Sequence, residues 1–66
     1  MDESLRLKRL VEHWAEHNDE HRRRFEESAE EAERMGLKAA ADCLMAAATR
    51  AAEVSEQLRK ALENLD

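Results

Sequence analysis

Three histidines and the single tryptophan of the chain fall within nine residues, "HWAEHNDEH", from His13 to His21. His13, His17 and His21 are spaced i, i+4 and i+8, which on a helix stacks them in a slanting stripe with neighbours about 5 to 6 Å apart at Cβ. Two imidazoles one turn apart can chelate one ion, as on the helices of zinc enzymes, and imidazole suits Zn, Ni, Co and Cu. Glu16, Asp19 and Glu20 stand close by as further ligands or as acceptors that orient the rings. A tetrahedral site takes four ligands, so the stripe alone is incomplete.

Elements that would position this stripe follow from the apolar spacing. From Leu7, steps of four and three give Leu7, Val11, Trp14, Asn18, His21, Phe25, Ser28, Ala32 and Met35, a helix with a seam. From Leu37 the same steps give Leu37, Ala41, Leu44, Ala48, Ala51, Ser55, Leu58, Leu62 and Leu65. The two seams are out of phase across Gly36, which suits the left-handed residue just past a helix end, with Leu37 packing back on the last turn. The fold class is therefore all-α: a single antiparallel two-helix hairpin over residues 1–66, helix 1 about 3–35, turn at Gly36, helix 2 about 38–64. No Ser, Thr, Asp or Asn caps the second helix at its start.

With almost no loop, residues whose numbers sum to about 72 lie at one level. Trp14 then meets Leu58, Phe25 meets Ala47 and Ala48, and Asn18 and His21 meet Val54, Ser55 and Ala51. Each helix is about 42 to 48 Å long, too long a rod to bury its apolar face on one neighbour. Helix 2 carries a second stripe, Ala40, Ala47, Val54 and Ala61, with Cys43 on the same flank. A homodimer forming a four-helix bundle covers it, the alanines letting backbones approach closely. The expected interface residues are Trp14, Asn18, Phe25, Leu44, Ala51, Leu58 and Leu62. Ion pairs at i, i+4, such as Arg22 with Glu26 and Arg23 with Glu27, keep the outer faces solvated.

At 100° per residue with Trp14 at the centre of the buried face, His21 falls at about −20°, His17 at about −60° and His13 at about −100°. The stripe runs from core to rim. His17 and His21 of two subunits could thus supply four nitrogens, whereas helix 2 offers only Ser55 at that level, with Glu53 and Glu56 further round. Cys43 lies about 12 Å from His21 along the axis and could contribute only from another subunit. The same angles fit a plainer reading, in which Asn18 and His21 form a polar layer that sets pairing, as a lone polar seam residue does in coiled coils.

Composition narrows the function classes. The formal charge is −5 with 41% charged residues, which disfavours a general binder of nucleic acid or anionic membranes, despite the local run Arg22 to Arg24. No apolar run approaches the roughly 20 residues of a membrane span, and "MDESLRLKRL" lacks the apolar core of a signal peptide. One cysteine makes no internal disulfide, so a reducing cytoplasm is the expected location. The chain has no nucleophile, base and orienting group in a recognisable set, and a hairpin has no deep cleft to hold one, so no enzyme is expected.

The segment His13, Trp14, Glu16, His17, Asn18 and His21, followed by Phe25, Gly36 and Leu37 and an alanine-rich second helix, resembles a small uncharacterised prokaryotic family of helical hairpins with an H-W-x-E-H-N-x-x-H motif. Some similar segments are joined to metal-handling proteins, and the resemblance implies His13, His17 and His21 as ligands. The sequence thus leads to a small helical-bundle protein that binds a divalent transition metal (Ni, Co or Zn) through the histidine stripe. The alternative is a ligand-free dimeric structural or adaptor module, which receives a protein partner and whose pairing is set by Asn18 and His21.

Overall fold

A computed structural model describes residues 3–65. It contains helix α1, Glu3–Arg34, and helix α2, Lys38–Glu63, packed against each other as an antiparallel hairpin measuring 53 × 15 × 10 Å. Glu3 in the first turn of α1 and Arg34 in its last place charge where the helix dipole favours it. Among the described residues no helix is long and apolar enough to cross a membrane.

The reversal between the helices is made by Gly36, whose φ of 77° is open to glycine at little cost. Its N–H donates to the Glu33 carbonyl at 3.0 Å and the Leu37 N–H donates to the Ala32 carbonyl at 2.9 Å. These two bonds are the paired closure of a Schellman ending, and they satisfy carbonyls that the helix end would otherwise leave open. Helix α2 then begins at once. Leu37 at its N-cap gives no side-chain cap hydrogen bond, and Lys38 pairs with Asp42 at 2.9 Å in the first turn.

Between the helices the core is small-sided. Val11, Ala15, Ala29 and Ala32 of α1 and Ala41, Ala48, Ala51 and Ser55 of α2 are buried, and among the described residues no large side chain is fully enclosed. Around them Phe25, Leu44, Leu58, Leu62 and Leu65 are half-buried. The α2 seam follows the expected alternation from Ala41 to Leu65, with Leu37 left 49% exposed.

Helix α1 departs from the expected phase. Its contact line runs through Val11, Ala15, Asn18, Phe25, Ala29 and Ala32, turned roughly 50° from the alternation that included Trp14 and His21. Leu7, Trp14 and Met35 are 44%, 47% and 65% exposed, and His21 and Ser28 are exposed too. Alanines at 15 and 29 let the backbones close to a distance that an indole at the same line would prevent. The apolar surface of α1 is wider than one partner helix covers, and the tighter half won the hairpin contact.

Candidate functional site

The rotation of α1 leaves the hairpin with two unlike flanks. On one, His13, Trp14, His17, Asn18 and His21 of α1 and Val54 and Leu58 of α2 line a shallow open groove of about 540 Å³. On the other, Asp19 pairs with Arg59 and Arg22 with Glu26 at 2.7 and 2.9 Å, and Lys38 and Asp42 line a depression with Ala29 and Ala41. Arg23 reaches back to Glu20 at 3.0 Å in place of the expected Glu27. One flank carries the ion pairs, with Met45 exposed beside them; the other presents imidazoles, Trp14 and Val54 to solvent.

Along α1 the rings form a ladder with one step per turn. The centroids of His13 and His17 are 4.7 Å apart and tilted, those of His17 and His21 6.1 Å apart and edge-on, and His21 stacks on Phe25 at 6.2 Å. All three histidines are exposed. Adjacent pairs have the spacing to share an ion, yet among the described residues no three His, Cys, Asp or Glu side chains converge to hold one. Cys43 is a free, exposed thiol outside the groove lining.

What holds the ladder in place is a polar clasp at its centre. The Asn18 amide donates to the Ala51 carbonyl and, at 2.8 Å, to Ser55 Oγ. The Ser55 hydroxyl donates to Asp19 Oδ1 at 2.6 Å, and Arg59 Nη2 donates to Asp19 Oδ2 at 2.7 Å. Both Asn18 amide donors therefore engage α2, which fixes the rotation and register of α1 at a point between His17 and His21. No buried side-chain nitrogen or oxygen among the described residues lacks a partner. Asn18 and Ser55 were expected at one level, but Asp19 and Arg59 were missed. Level arithmetic does not give this pair: Asp19 is level with Glu53, and Arg59, six residues or about 9 Å further along α2, reaches back to it.

The clasp carries a pH dependence. The hydrogen bond from the Arg59 guanidinium, then that from Ser55, hold the Asp19 carboxyl below its ordinary value of 3.8. A carboxylate with a depressed folded-state pKa adds stability that is complete above its unfolded value and is lost as pH falls through the folded one. Urea unfolding of the wild type is therefore expected to weaken from about pH 4 downward by more than that of Asp19→Asn, the difference being under about 1 kcal/mol for so exposed a pair. Parallel acid profiles for the two proteins would show that the clasp contributes nothing through charge.

No solved structure matches this chain. A relative from Archaeoglobus fulgidus, described as an uncharacterized protein, is 43% identical over 58 residues, which is 88% of this chain and 92% of the relative. A family model described as Domain of unknown function (DUF8180) matches residues 7–65, a stretch that holds the histidine ladder, the Gly36 turn and both contact lines. The chain belongs to that family.

Proposed function

We propose that this protein binds a divalent transition metal, Ni, Co or Zn, through the imidazoles of His17 and His21 with His13 beside them, as a homodimer whose two hairpins form a four-helix bundle. The observation that carries the reading is the ladder itself: three exposed imidazoles in register on one flank, anchored by Asn18 and bordered by Val54 and Leu58. Neutral imidazole is a ligand for this group of metals, and a pair at i, i+4 supplies two of the four bonds that a tetrahedral ion takes. A second chain supplies the rest and covers the apolar side chains of the same flank. The role is binding rather than catalysis, and the free thiol of Cys43 suits a reducing cytoplasm.

A ligand-free adaptor is the second reading, and the exposure of Leu7, Leu10, Trp14 and Val54 favours it, because apolar side chains on one flank receive a partner helix with or without metal. Calorimetric titration of metal-free protein with zinc chloride separates the two. Wild type is expected to give saturable heat, at one ion per two chains, that is lost in the His17→Ala/His21→Ala variant. Equal heats from both proteins would leave the adaptor reading in possession.

A further inference from the structure

Resting on that reading, we infer that two copies pair with their hairpins antiparallel, α1 against the partner's α1, so that His17 and His21 of both copies close one four-imidazole site on the two-fold axis. The starting observation is an unfinished donor set on an unfinished surface. His17 and His21 of one chain are 6.1 Å apart at their ring centroids, and no third donor joins them within the described residues. Leu7 and Leu10, one heptad before Trp14 and His17, extend the same flank and are 44% and 43% exposed. The opposite flank carries the Asp19–Arg59 and Arg22–Glu26 pairs with Met45 exposed beside them, whereas Leu7, Leu10, Trp14 and Val54 are exposed together on this one, which makes it the broader apolar face for a second copy.

Symmetry leaves two ways to lay this flank on its own copy, because the two-fold axis must lie in the plane of contact. An axis along the rods sets α1 beside the partner's α2. At the level of His17 and His21 that helix presents Ala51, Val54 and Leu58, none of them a ligand. His17, on the outer side of α1, would then have no imidazole within reach. An axis across the rods sets α1 beside the partner's α1 in the opposite direction. Full overlap of two helices that each span Glu3–Arg34 places that axis at about residue 19. Facing residues then have numbers that sum to about 38, and His17 meets the partner's His21 twice over.

The neighbours on either side fit the same register. Trp14 comes level with the partner's Arg24, a cation over an indole face, and Leu10 with the partner's Ser28, a large side chain against a small one. Across α2, Val54 lies within a residue of the axis and close to its own copy, while Leu58 comes level with the partner's Ala47 and the partner's Ala48. The four nitrogens thus fall at the middle of the interface, flanked by apolar contacts that exclude water.

The native thiol reads the order without any substitution. Cys43 is free and exposed, and one nitroxide on it reports the label-to-label distance by dipolar electron spin resonance, with and without zinc chloride at one ion per two chains. In the antiparallel pair each thiol lies about 10 residues from the axis, which separates the labels by about 30 Å at 1.5 Å per residue. In the parallel pair both thiols share one level and lie within about 15 Å, given helix spacings of 8 to 10 Å. A single distance near 30 Å is the expected result. A distance near 15 Å overturns the antiparallel order and leaves the metal reading to its own titration. Unlabelled protein that sediments as a monomer at all zinc concentrations overturns the paired site, and a 30 Å pair that takes up no zinc refutes the metal reading while keeping the order.

Discussion

Zinc at about 100 times its dissociation constant is expected to stabilise the wild-type protein by about 2.7 kcal/mol and to leave the His17→Ala/His21→Ala variant unmoved. In a chain of this size each kcal/mol moves the melting temperature by about 4 to 8 °C, so the wild-type rise should exceed about 10 °C. The effect follows from linkage: the ion binds the folded pair of helices and finds no preformed set of imidazoles in the unfolded chain. The comparison is clean because both histidines are exposed and make no hydrogen bond to α2, and alanine is the better helix former. The variant should therefore melt without metal close to the wild type. His13→Ala should keep most of the zinc effect, since His13 lies one turn further from the Asn18 clasp. A rise of equal size in wild type and double variant would remove the histidines from the site.

The same residues show what could be read from the sequence and what could not. Gly36 announced both the break and its geometry, since the phase of the apolar residues jumps there and only glycine takes a φ of 77° at little cost. The α2 seam was legible because leucines at 44, 58, 62 and 65 mark one face without rival. On α1 the large residues misled. Leu7, Trp14 and His21 look like the centre of a seam, but packing followed the small residues, Ala15 and Ala29, where two backbones can approach. Periodicity reports which residues are apolar and not which of two interfaces takes them. A stripe too wide for one neighbour was the sign that two surfaces were superposed. Asp19 and Arg59 were hidden for a different reason: charged residues toward the outside of a helix read as solvated, and their pairing depends on a register that only the assembled hairpin defines.

Placing Ala48→Leu in the contact line of α2 is expected to destabilise the protein by about 3 kcal/mol, the upper part of the range for overpacking. Ala48 is 2% exposed and lies at the level of Phe25, so three added carbons have no space to enter unless the helices separate. Separation would also stretch the Asn18 bonds to Ala51 and Ser55, which lie one and two turns further along α2. A chain of 66 residues has little stability to lose, since it buries only about 60% of the surface it exposes when unfolded. With a urea slope near 1 kcal/mol/M, the unfolding midpoint should fall by more than about 2 M. The control is the pair Ala48→Leu with Phe25→Ala, in which the removed ring makes room for the added branch. Recovery of at least about 1 kcal/mol in that double variant would locate the strain between these two positions. A neutral Ala48→Leu would mean instead that the helices are not held at alanine distance, and the histidine flank would then owe its shape to something other than the close contact of α1 and α2.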